Sequence, residues 1–199
     1  MTKELYVVDT SALFPNGGKR TSHWKLNDFE RGLCTLEEIA PLLETEAIYC
    51  VPQVLEELDA SKRCIRARVE IMGEHSVTRA FEERFRTLNH CCQEGCYKWQ
   101  EEKEYKQTIG RYAHHWARKH NVRLDKRKLG GQLETDKHII TAGIVLGLEG
   151  EVSLVTHDRD LQESFQDILI EVIQGGGFQE FFPHQFTLYH STQGKKVIR

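Results

Sequence analysis

An α/β fold, with a central, mostly parallel sheet flanked by helices, is what this sequence predicts, and three observations predict it. Short apolar runs rich in β-branched residues alternate with longer stretches of helical spacing, the pattern of strand–helix units. Two of these runs stop at acidic segments, one at Asp9 and the other just before Asp158 and Asp160. The chain has 199 residues, 39% hydrophobic and 29% charged, enough for one domain whose core needs no disulfide or metal staple.

Leu5 to Val8 is the first strand, closed by Asp9-Thr10-Ser11 and soon followed by the turn Pro15-Asn16-Gly17-Gly18. Residues 19–31 are polar and carry no clear pattern. Thr35 followed by Glu38 has the spacing of a capping box and predicts a helix from there through Leu43. Ala47 to Val51 predicts a second strand. Pro52 then opens a helix at a position where its missing N–H costs nothing, with Val54, Leu55, Leu58 and Ile65 marking the apolar face. From Ser61 to Gly131 apolar residues thin out and charges dominate. Helical spacing over 62–89 and 97–120 predicts a helical insertion, 61–131, within a single domain spanning 1–199.

The pattern then returns to core. Ile139, Ile140, Ala142, Ile144, Val145 and Leu146 are apolar on most sides, as in a buried helix, with Gly147 or Gly150 ending it. Val152 to Val155 predicts a strand, Leu161 to Phe165 a short helix, and Ile168 to Ile173 another strand closed by Gly175-Gly176-Gly177. A helical turn after Phe178 and a strand at Phe186 to Tyr189 complete the expected elements before the basic Lys195-Lys196 tail.

In an open parallel sheet, ligands bind outside the carboxyl ends of the strands. Asp9, Asp158 and Asp160 stand at such ends. Glu56 and Glu57 lie in the first turns of the helix after the second strand, and Asp136 precedes the buried helix, so four segments can deliver carboxylates to one edge. Clustered carboxylates resist ionising together, and a divalent cation removes that conflict. Oxygen donors without His or Cys favour Mg²⁺ or Mn²⁺, ions suited to phosphodiester hydrolysis. Taken singly, each acid also suits the plain role of a helix cap.

These residues resemble the PIN-domain nuclease family. Val7-Val8-Asp9-Thr10-Ser11-Ala12-Leu13 is similar to its opening motif, and Val51-Pro52-Gln53-Val54-Leu55-Glu56-Glu57-Leu58 to its second, whose acid stands before a leucine and so selects Glu57. Asp136-Lys137-His138-Ile139-Ile140-Thr141-Ala142 is similar to the third, and Leu154-Val155-Thr156-His157-Asp158-Arg159-Asp160-Leu161 to the fourth. The resemblance covers roughly residues 4–60 and 132–173. It implies a PIN-like sheet and a Mg²⁺/Mn²⁺-dependent endoribonuclease. Asp9, Glu57, Asp136 and Asp158 would be the catalytic and metal-holding acids, with Asp160 a further ligand and Thr156 in support. The stretch between the second and third acids is much longer than in the compact toxin members, which argues against a toxin.

Net charge is −3, yet Arg111, Arg118, Lys119, Arg123, Lys126, Arg127 and Lys128 stand together against Asp125 alone. A basic stripe on an acidic body suits a polyanion, and Arg118, Lys119, Arg123, Lys126, Arg127 and Lys128 are the expected RNA contacts. Tyr105, Tyr112 and Trp116, with Tyr97 and Trp99 upstream, either stack on unpaired bases or pack the insertion. His90, Cys91, Cys92 and Cys96 raise a zinc site, but no second CxxC pair accompanies them and reduced thiols are the simpler reading. Gly175-Gly176-Gly177 lacks the rest of a phosphate-loop pattern.

No run of eighteen apolar residues exists, the first apolar stretch is too short for a signal peptide, and six cysteines are too few for a disulfide scaffold. The expectation is a cytoplasmic protein without membrane association whose partner is single-stranded RNA. A homodimer and an inhibitory protein partner are left open. The alternatives are an inactive PIN-like module binding RNA or protein, and a structure-specific DNA nuclease.

Overall fold

A computed structural model describes residues 3–14, 21–73, 75–101, 111, 114–115, 118–119, 135–175, 186–190 and 194–198. The fold is mixed α/β, a mostly parallel sheet with helices packed against it. Strand β1 (Glu4–Val8) lies between β2 (Ile48–Tyr49) and β3 (Glu151–Val155), parallel to both. Beyond β3 comes β4 (Phe186–His190), again parallel, and then β5 (Gly194–Ile198), antiparallel at the edge. The order is therefore β2-β1-β3-β4-β5. Both faces of β1 are covered, so Leu5, Val7 and Val8 are fully buried, a continuous apolar run rather than an alternating one.

The chain leaves β1 through α1 (Thr10–Leu13) and a 3₁₀ turn, Thr21–His23, into α2 (Leu26–Leu43). The start of α2 differs from the expected one. Thr35 does not open this helix; it sits in the middle, its hydroxyl donating to the Arg31 carbonyl at 3.1 Å. The real start is nine residues earlier, where the Asp28 carboxylate accepts the Lys25 N–H at 2.8 Å and so satisfies an end donor. What holds this first half is an aromatic cluster in which Trp24 meets Phe29 edge-on at 5.1 Å, Phe81 at 5.6 Å and Phe14 at 4.9 Å. Phe81 is remote in sequence, which is why residues 19–31 look patternless alone.

Pro52 opens α3 (Pro52–Met72) as expected. The helix stops at Gly73, whose φ of 81° is in the left-handed region that glycine enters without strain. The expected helix over 62–89 is thus broken there, and α4 (Ser76–Glu101) runs unbroken across 89–97 instead. Phe81, Phe85, Leu88, Cys92, Cys96 and Trp99 recur along one side of α4 and join the same core as the sheet. Trp99 is therefore a packing residue, while Tyr97 is exposed. At Gly95 the helix meets β2 so closely that a Cβ would stand 2.8 Å from the Ile48 carbonyl oxygen.

Helix α5 (Thr135–Leu146) is buried almost throughout, as the all-round apolar pattern implies, and packs between β1, β3 and α3. After β3 comes α6 (Arg159–Gly175), a single helix. The strand expected at Ile168 to Ile173 is the second half of that helix. Leu161, Phe165, Ile168, Leu169 and Val172 are buried at i, i+4, i+7, i+8 and i+11, a helical stripe, and the local run Ile-Leu-Ile-Glu-Val-Ile imitates a strand when read alone. Strand β4 falls where expected, and β5 occupies what reads as a basic tail. The turn expected after Phe178 lies outside the described residues. No described helix is long and apolar enough to cross a membrane.

Candidate active site

From β1 the chain runs through α1 and α2 to β2 on one side, and from β2 it crosses back through α3, α4 and α5 to β3 on the other side of β1. Such a reversal of strand order leaves a crevice at the carboxyl ends of the two central strands. Asp9 stands there. Its N–H still bonds the Val155 carbonyl of β3 at 3.0 Å, continuing the ladder by one step, and its side chain is buried.

Three oxygens form a triangle at this point. The Thr156 hydroxyl donates to Asp9 Oδ2 at 2.8 Å, the Ser11 hydroxyl donates to the same oxygen, and the two hydroxyl oxygens are 3.0 Å apart. With Asp9 ionised there are two hydroxyl protons for three edges, so one edge lacks a proton, whereas a proton on Asp9 supplies it. Burial, the largest influence, raises the Asp9 pKa from its ordinary value; the Ser11 and Thr156 hydroxyls oppose it, and the charges of Glu57 and Asp158 push it up further. The carboxylates of Glu57 and Asp158 thus both stand within electrostatic reach of Asp9.

Asp158 is built in by the same hydroxyls. Its N–H donates to Thr156 Oγ1 at 2.9 Å, and the neighbouring His157 N–H donates to Ser11 Oγ at 2.9 Å. Its own Oδ1 caps α6, accepting the N–H of Asp160 at 2.9 Å and of Leu161 at 3.2 Å. Asp160 is exposed in the first turn of that helix.

Glu57 reaches the site from α3 and is held on both oxygens. Thr10 donates to Oε2 at 2.6 Å and Thr135 donates to Oε1 at 2.9 Å. Asp136, half-buried in the first turn of α5, follows Thr135 directly. Glu56 is exposed, so the choice between the adjacent acids falls on Glu57. Asp9, Glu57, Asp158 and Thr156 are therefore brought together, Asp136 follows the Thr135 that bonds Glu57, and Asp160 is tied to Asp158 through its backbone N–H. Thr10, Ser11 and Thr135 are site residues to which the sequence assigns no role. Thr10 and Ser11 lie inside the opening motif beside its acid, and Thr135 has no signal beyond its place next to Asp136.

No family model matches the chain, and neither a curated protein nor a solved structure does.

Among the described residues, no three His, Cys, Asp or Glu side chains are already grouped as a cage for one ion. The donor set nevertheless fits a hard dication in chemistry. It is all oxygen, it gathers negative charge around a buried carboxylate, and a cation would reverse the rise in the Asp9 pKa. The four residues of the zinc reading all lie in α4. His90 is exposed and faces Glu94 at 3.6 Å, while Cys92 and Cys96 are buried in the core. All six thiols are free, and burial together with Cys92 holds Cys50 well above the usual thiol range.

Of the expected RNA contacts, Arg118 and Lys119 are exposed, and Lys119 pairs with Glu171 of α6 at 2.8 Å. Arg123, Lys126, Arg127 and Lys128 lie outside the described residues, as do Tyr105, Tyr112 and Trp116.

Proposed function

We propose that this chain is a PIN-type, Mg²⁺- or Mn²⁺-dependent endoribonuclease acting on single-stranded RNA. The observation that carries the reading is the convergence of Asp9, Glu57 and Asp158 at the carboxyl ends of β1 and β3, where the strand order reverses. Asp9, Glu57, Asp136 and Asp158 would hold the ion, with Asp160 beside them. Such an ion, when bound, lowers the pKa of water and stabilises the departing oxygen of a phosphodiester. The chain's own groups prepare that chemistry. Ser11 and Thr156 fix the direction of the Asp9 carboxylate, and Asp158 anchors the N-terminus of α6 through one oxygen. The basic window supplies phosphate contacts.

A second reading, a module that binds RNA or protein without cutting, draws on one observation: hydroxyls already hold Asp9 and Glu57, and no ready cage stands among the described residues. The test is incubation of single-stranded RNA with the wild type and with Asp9→Asn in Mn²⁺. Cleavage by the wild type alone, leaving 5′-phosphate and 3′-hydroxyl ends, is the expected result. Binding without cleavage by the wild type across Mg²⁺ and Mn²⁺ favours the second reading, and faster cutting of branched DNA moves the substrate class.

A further inference from the structure

We infer that Thr135 is a positioning residue that sets how tightly the site takes its divalent cation, acting through Glu57. The inference rests on the metal-site reading above. Thr135 is the first residue of α5, is buried, and donates its hydroxyl to Glu57 Oε1 at 2.9 Å. The other carboxylate oxygen, Oε2, receives the Thr10 hydroxyl at 2.6 Å. The two donors come from different elements, α1 and α5, each adjoining one of the proposed acids, Asp9 and Asp136.

One hydroxyl on each oxygen fixes the carboxylate plane. Glutamate has three side-chain torsions, and freezing them on cation entry would cost affinity; here they are frozen beforehand. A carboxylate oxygen offers two lone pairs, so a single hydroxyl on each leaves the other free for a cation. The bond also ties the start of α5, where Asp136 follows Thr135, to α3. Partners that orient a ligating group in this way typically carry a roughly 10–100-fold effect on metal affinity.

Calorimetric titration of Mn²⁺ into the full chain tests this with no reliance on cleavage. Thr135→Val keeps the shape and removes the donor; its Mn²⁺ Kd is expected to rise about tenfold. Thr135→Ser keeps a donor and should stay near the wild type. If Thr135→Val does not fold, Thr135→Ala takes its place with the same expected loss. Thermal unfolding in chelator separates packing from positioning, because a merely structural role lowers Tm and leaves the Mn²⁺ Kd unmoved. A folded Thr135→Val or Thr135→Ala protein with wild-type Mn²⁺ affinity overturns the inference and leaves the site reading standing. A wild type that takes up no Mn²⁺ overturns both.

Discussion

Burial works against the charge on Asp9, and its environment determines the sign of two predictions. A carboxyl whose folded pKa is raised binds a proton more readily folded than unfolded. The stability this confers is full below the unfolded pKa and is lost as pH rises through the higher folded value. In chelator, then, wild-type Tm should fall relative to Asp9→Asn as pH rises upward from the ordinary aspartate value of about 4. Asparagine carries no charge to desolvate, and the Ser11 and Thr156 hydroxyls can turn to meet it. A Tm difference flat with pH would contradict the assigned burial effect. The same substitution should lower cleavage by at least the roughly 10–100-fold that impaired orientation of a metal ligand costs. Thr156 makes a second case. Its buried hydroxyl donates to Asp9 and accepts from the Asp158 N–H, so Thr156→Val leaves that N–H without its acceptor. Denaturant unfolding should register a loss of about 1–3 kcal/mol.

At the scale of elements, close approach matters more than propensity. Gly95 lies inside α4, where alanine would ordinarily gain about 0.5–1 kcal/mol. Its added Cβ would stand 2.8 Å from the Ile48 carbonyl oxygen and 3.3 Å from the Tyr49 Cα, and the backbone of a sheet does not yield as a side chain does. Gly95→Ala should therefore destabilise the fold by about 1–3 kcal/mol, and a higher Tm would refute the contact. The same distinction explains what is and is not legible in the sequence. Strands β1 and β3 and the start of α3 are legible because β-branched runs and Pro52 act locally. The first half of α2 is not, because Trp24 and Phe29 are held by Phe81 from another helix. Helix α6 is half misread because its stripe becomes visible only over the whole 17 residues. Within the site, the acids at strand ends stand out, while Thr135 does not, since a hydroxyl announces its partner only once α3 and α5 are side by side.

For the molecule as a whole, charge is separated along the chain, and that separation has a measurable signature. The acids of the strand edge repel a polyanion unless a cation neutralises them, so phosphate affinity must come from elsewhere in the chain. In the basic window Arg111, Arg118, Lys119, Arg123, Lys126, Arg127 and Lys128 face Asp125 alone. Lys119 within it already has a partner, Glu171, but both side chains are partly exposed and such pairs contribute only about 0–1 kcal/mol, so a phosphate can compete. Lys119→Ala alone should accordingly weaken RNA binding modestly, as the loss of one phosphate contact among several. Replacing Arg118, Lys119, Arg123, Lys126, Arg127 and Lys128 together by glutamine should weaken binding strongly. It should also flatten the dependence of log affinity on log salt by about 0.7 for each phosphate that the chain no longer neutralises. Mn²⁺ affinity, set by the strand-edge carboxylates, should not move. Fluorescence anisotropy with labelled single-stranded RNA across a salt series reads the slope directly. A slope unchanged by all six substitutions would place the RNA-binding surface outside this window, whatever the site at the strand edge does.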